Sequence, residues 1–201
     1  MNTNIKLIVK KGIIILLAIC FSFTSCKKIL DSASSLGKED LKKKDLKIIN
    51  VNDIYSMAVP EYMSEMKSLN EEASFEYANI FKETYVIVID ENKQDFINTF
   101  KELEIYKDSL SPLDNYSEYQ MDSFKENMEE VEIKKLNKKI RNYTSNQYEF
   151  SGKTEGIHIK YLIGFVEGKE NMYMMMSWTL KDRFKKYKNT FQLTQNSFKI
   201  K

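Results

Sequence analysis

Few side chains in this sequence combine a reactive type with an informative position. Cysteine occurs twice, at Cys20 and Cys26, and histidine once, at His158. Cys26 follows Thr24-Ser25 and closes an apolar run from Gly12 to Phe23, before which Lys6, Lys10 and Lys11 stand without any acidic residue. A basic start, a short apolar stretch and small residues at its end make the plan of a secretory signal peptide. As a helix such a run rises only about 1.5 Å per residue and falls short of the roughly 30 Å of a hydrocarbon core, so it does not read as a permanent span.

With Cys26 as its last feature, this order resembles the lipobox of bacterial lipoproteins, in which a diacylglyceryl group is transferred to the cysteine sulfur and the chain is cleaved just before it. Ser25 suits the position preceding the cysteine, whereas Phe23 stands where leucine is usual. The resemblance implies a leader over 1–25, lipid attachment at Cys26 and a membrane partner reached through that anchor. It also implies a place in the cell envelope, on the inner or outer membrane, facing the periplasm or the cell surface. Each buried methylene adds about 0.8 kcal/mol to retention, so two or three acyl chains hold far more firmly than one. Acylation of Cys26 and loss of Cys20 with the leader would leave no free thiol, which removes disulfides, thiolate metal sites and cysteine nucleophiles together.

The remaining candidates have plainer explanations. His158 sits in Ile157-His158-Ile159-Lys160-Tyr161, where strand alternation turns it away from the apolar residues, toward solvent or a groove. One histidine without a Gly-x-Ser-x-Gly elbow makes neither a catalytic triad nor a histidine-rich zinc site. Met172, Met174 and Met176 share a strand face with Trp178, and thioethers are ligands for Cu(I), so a Met-rich metal-binding lipoprotein is the alternative reading. A face this apolar is more simply a core strand padded with flexible side chains. Asp90-Glu91-Asn92-Lys93-Gln94-Asp95 begins like a calcium loop, yet Asp95 replaces the needed glycine and Lys101 the bidentate glutamate; a strand end and helix cap explain it better. Glu126, Glu129, Glu130 and Glu132 form either an acidic docking patch or a solvated helix end answered by Lys134 and Lys135. A carboxylate-dependent hydrolase comes third, because two converging acids among 29 cannot be seen in a sequence. No residue is assigned a catalytic, cofactor-binding or metal-ligating role, and the chain is not expected to be an enzyme.

Charge narrows the choice further. Removing the leader's three lysines from the 31 basic residues leaves 28 against 29 acidic ones, a net charge of −1, and arginine occurs only at Arg141 and Arg183. Nucleic-acid binding needs a cationic surplus to displace counterions and is excluded.

The elements that position these residues follow from periodicity. Residues 26–45, Lys- and Ser-rich after Cys26, read as a tether, and 46–201 as one domain. Strands are expected over Leu46–Val51, over Ile54–Val59 before Pro60, over Ala73–Ile80 with Phe75 and Tyr77 on one face, and over Thr84–Asp90. Tyr85-Val86-Ile87-Val88-Ile89 does not alternate, as befits a central strand covered on both faces. A helix follows Asn92, with Phe96, Phe100 and Leu103 inward, and a second carries Met121, Phe124, Met128 and Val131. A weak strand over Lys134–Tyr143, then Tyr148–Gly152, Ile157–Val166 and Met172–Trp178 make a meander. A last helix, capped by Thr179 and Asp182, runs from Leu180 through Phe184, Tyr187 and Phe191 to Phe198.

This order resembles the PsbP-like domains. The likeness lies in Tyr62 just after Val59-Pro60, the Tyr85–Asp90 strand, the Gly164–Gly168 hairpin, and Trp178-Thr179 leading to a helix that ends Ser197-Phe198. It implies an α+β fold with an antiparallel sheet packed between helical layers. Domains of this kind serve mainly as partners of other proteins, among them the photosystem oxygen-evolving complex and a small nuclear-import GTPase. The resemblance therefore implies a non-catalytic module that binds another envelope protein or a small ligand, and no binding residue of the family maps onto a position of this chain.

Overall fold

The structure, a computed structural model, describes residues 37–67 and 69–201. The leader, Cys26 and most of the segment read as a tether lie outside the described residues. In chain order the elements are β1 (Leu46–Val51), β2 (Tyr55–Pro60), β3 (Ser64–Glu65), β4 (Phe75–Asn79), β5 (Thr84–Asn92), α1 (Lys93–Glu102) and α2 (Pro112–Glu126). They continue as β6 (Glu129–Leu136), β7 (Ser145–Thr154), β8 (Ile157–Glu167), β9 (Asn171–Leu180), α3 (Phe184–Ser197) and β10 (Lys199–Ile200). An antiparallel sheet of seven strands in the order β3-β4-β5-β9-β8-β7-β6 forms the centre, and β1-β2-β10 make a second, smaller sheet.

Each face of the large sheet is buried by a different layer. On one face Ile87, Ile89, Met174, Met176, Ile163 and Phe165 lie beneath Phe96 and Phe100 of α1 and Tyr116 and Phe124 of α2. On the other, Val86, Val88, Tyr173 and Met175 meet Tyr55, Met57 and Val59 of the small sheet, with Phe198 closing the end. Beside them α3 presses Phe184, Tyr187 and Phe191 onto Leu162. The α+β sandwich expected from the sequence is present, and its second layer is half helix and half sheet. The unbroken apolar run of β5 is explained by its alternate residues entering opposite cores.

A buried amide fixes α3 on the sheet. Gln195, in the last turn of α3, donates through Nε2 to the carbonyls of Leu162 (2.9 Å) and Met175 (3.3 Å), while its Oε1 accepts from Gln147 Nε2 at 2.8 Å. Fully satisfied in this way, a buried polar side chain orders the layers at little cost. The amide fits only because residue 164 has no side chain: a Cβ there would stand 2.6 Å from Ile140 Cδ1 and 2.8 Å from Gln195 Oε1.

Most strand ends shift by one to three residues, and three elements differ from the sequence reading by four or more. The spacing Met121, Phe124, Met128, Val131 suggests a helix reaching 131, but α2 ends at Glu126 and Asn127 caps it, its Nδ2 bonded to Ser123 O at 2.7 Å. Met128 and Val131 still press on the same core, so helical spacing continues across a reversal of the chain. In place of the strand at Lys134–Tyr143, β6 occupies Glu129–Leu136, held by pairing with β7, a partner that periodicity does not reveal. The last helix does not begin at Leu180. Thr179 and Leu180 extend β9 opposite Lys160 and Ile159, no Thr179/Asp182 cap forms, and α3 starts at Phe184 with Phe198 just beyond its end.

Substituting Gly164 by alanine should lower unfolding stability by about 1–3 kcal/mol through overpacking. Chemical denaturation should show a lower midpoint at an unchanged slope.

Candidate functional site

The sequence-derived candidates scatter over the domain. His158 is an exposed residue of β8, and its imidazole stands 3.7 Å from the carboxylate of Glu130. Met172, Met174 and Met176 are 0–2% exposed beneath α1 and α2, so their sulfurs pad the core and offer no shared open face. Asn92 caps α1, accepting from the amides of Gln94 (2.9 Å) and Asp95 (3.0 Å), as a strand end and helix cap require. Among the four clustered glutamates only Glu126 is helical; Glu129, Glu130 and Glu132 lie on β6. Lys153 pairs with Glu130 at 2.8 Å and Lys181 with Glu132 at 3.0 Å, in the place of the expected Lys134 and Lys135. Those contacts hold both carboxyls below the usual range, so two of the four glutamates are ion-paired across the sheet surface. Among the described residues no group of three or more His, Cys, Asp or Glu could hold a metal, and no helix is long and apolar enough to cross a membrane.

Two clusters that no local sequence pattern marks occupy opposite ends of the large sheet. At one end the chain arriving from the amino-terminal side is fastened by Glu39. Its backbone amide donates to Lys186 O of α3 at 3.0 Å. Its carboxylate accepts from Tyr62 Oη (2.8 Å) and Thr190 Oγ1 (2.6 Å) and pairs with Lys82 Nζ (3.2 Å). Only 11% of the Glu39 side chain is exposed. Burial, then the Glu39 carboxylate, raises the Tyr62 phenol far above its ordinary range, so it remains a donor. Lys82 also stands 4.5 Å from the ring centre of Tyr62. Lys82 belongs to the β4–β5 turn, which Arg183 ties to α3 through Glu83 at 2.7 Å. Glu39 thus joins the stretch before β1 to the β4–β5 turn, to Tyr62 just beyond β2 and to α3.

At the other end of β5, Glu91 points into the layer beneath the helices, opposite Met172 in the register. Its carboxyl is pushed up from the ordinary 4.5 to about 7, chiefly by burial and next by the charge of Glu72, with Asp90 adding and Tyr116 opposing. Tyr116 is fully buried, edge-on to Phe96 at 5.2 Å and to Phe165 at 5.8 Å. Its hydroxyl sits close enough to Glu91 to influence that carboxyl's proton affinity, yet has no hydrogen bond of good geometry. Chemically this is a carboxyl of raised proton affinity beside a buried phenol.

No family model matches the chain, and no curated protein matches it. Solved structures do. Cyanobacterial PsbP from Synechocystis sp. PCC 6803 is similar with a TM-score of 0.50 at 13% identity, over 89% of this chain and 99% of that one. A mutant of Mog1 reaches 0.52 at 10% identity, over 77% and 95% of the respective chains. A protein from Bacteroides thetaiotaomicron gives 0.50 at 12% identity over 78% of this chain, which spans 49% of that longer one. These likenesses show the fold alone, which is PsbP-like.

A carboxyl with a raised proton affinity in the folded state favours folding while it is protonated. The contribution of Glu91 should be complete below about pH 4.5 and be lost as pH rises through about 7. Replacing Glu91 by glutamine should abolish that loss, making the variant more stable than the parent at pH 8 by up to about 3 kcal/mol and equal to it at pH 4. Thermal unfolding across this range measures the difference.

Proposed function

We propose that the chain is an envelope lipoprotein, held in a membrane by acyl groups on Cys26, whose PsbP-like domain is a non-catalytic module that binds another envelope protein or a small ligand. The observation that carries this reading is Glu39. The polar segment that follows Cys26 in the sequence meets the domain at a buried, fourfold-bonded residue, so an anchor at Cys26 would hold the domain by one defined end. The leader-like order of residues 1–26 supports the anchor. Support for the binding role comes from the fold, which this chain shares with PsbP and Mog1. Both faces of the central sheet are filled by core, which leaves its ends and edges as the surfaces a partner could use.

A hydrolase is the second reading, favoured by Glu91 alone, whose carboxyl is part-protonated near neutral pH as a general acid would be. Its place beside the fully buried Tyr116 fits a structural acid better than one open to a substrate.

Replacing Cys26 by serine should move the protein from the membrane fraction to the soluble fraction. Mass spectrometry of the parent's amino-terminal peptide should find an acylated Cys26 as first residue; an intact leader or a free thiol would refute the anchor. Partners captured with the anchored protein and lost with the Cys26→Ser form would identify its place in the envelope.

A further inference from the structure

The β4–β5 turn carries the most exposed large apolar side chain among the described residues, Phe81 at 81%, directly after Ile80 at 51%. The other exposed large hydrophobics, Ile48, Ile105 and Ile133, each lack a second exposed large hydrophobic next to them in the sequence. Single exposed apolar residues are ordinary on a soluble surface, whereas an adjacent pair at a turn tip calls for an occupant. The tip is also stiffly held. Lys82 pairs with Glu39, Arg183 with Glu83, and just behind the turn the Tyr85 ring stacks on Trp178 at 5.2 Å and 14°. Neither Ile80 nor Phe81 is needed for the core, so their exposure is not explained by packing.

We infer that Ile80 and Phe81 insert into the headgroup–acyl boundary of the bilayer that holds Cys26, setting the domain upright on its anchor; this rests on the lipoprotein reading above. What selects the bilayer as occupant is the length of chain between anchor and domain and the place where it arrives. Twelve residues lie between Cys26 and Glu39. At coil dimensions they cover roughly 20 Å, and fully extended no more than about 45 Å. They reach the domain at Glu39, which is bonded to the very turn that carries Phe81. The end of the sheet nearest the membrane is therefore the end with the exposed apolar tip. Lys42, Lys43 and Lys44 are exposed beside the same junction and suit the headgroup layer, where apolar side chains and flanking lysines act together. Glu91 and the β8–β9 turn at Lys169 belong to the far end, because Asn92 pairs with Asn171 there.

The test uses the full mature lipoprotein reconstituted through its own acyl chains into phosphatidylcholine vesicles with brominated tails, which quench tryptophan on contact. The native Trp178 is buried and gives a constant background. A Phe81→Trp protein should lose its added emission in brominated vesicles and keep it in unbrominated ones. A Lys169→Trp protein, altered at a side chain 94% exposed, should keep its added emission in both. Should both proteins float with the vesicles while neither is quenched, the inserted tip is wrong and the anchor stands. Should the protein fail to float, with Cys26 unmodified by mass spectrometry, the anchor reading falls and takes this inference with it.

Discussion

Burial of β5, β9 and β8 on both faces is the constraint from which the rest of the structure follows. Alternation normally fixes the register of a strand, because a slip of one residue would turn its apolar set toward solvent. Here a slip would exchange one core for the other: Ile87 and Ile89 face the helices while Val86 and Val88 face the small sheet. Register must be specified by features that tolerate only one position. Gly164 beneath Gln195 is one of them. The tight turn between β7 and β8 is another, with Glu155 and Gly156 both at positive φ (50° and 80°), the conformation that suits a two-residue hairpin.

The same constraint decides what surface is left for interaction. With both faces filled, the large sheet offers its edges and ends, and its edges are guarded. β3 is only two residues long, and β6 carries Glu129, Glu130, Glu132, Lys134 and Lys135 along a strand broken by an irregularity between Glu129 and Glu132. Short or charged, twisted edge strands resist pairing with another chain. The two ends differ in kind. β5 spans nine residues, about 30 Å, from a turn with an apolar tip and a lysine bound to Glu39 to a part-buried carboxyl of raised proton affinity.

How much of this could be read in advance depends on how local the determining contacts are. The central strands, their hairpins and α1 with its Asn92 cap were legible because each is written in a short window. The burial of Met172, Met174 and Met176 followed from the apolarity of their strand face. The end of α2 and the start of α3 were misread where helical spacing ran on through a reversal or into a strand; Ser111-Pro112-Leu113-Asp114 did mark the start of α2, with Ser111 Oγ accepting from Asp114 N at 3.1 Å. The junction at Glu39 could not be read at all. Its partners Tyr62, Lys82 and Thr190 lie 23, 43 and 151 residues away, and only the fold brings them together. The Glu91 and Tyr116 contact is hidden for the same reason, since a glutamate at a strand end has no local mark of burial. Cys26 lies outside the described residues, and its role rests on the order of residues around it.

The central claim is that the domain is mounted rigidly at Glu39 at the end of the segment leading from Cys26. Amide hydrogen exchange at Glu39, followed by NMR in the full mature protein, tests it most directly. The account predicts that this amide, bonded to Lys186 O, is protected to the same degree as the amides of α3 around Thr190. Exchange at the rate of an unstructured peptide, with α3 itself protected, would show that the segment is loose at the domain surface and contradict the account.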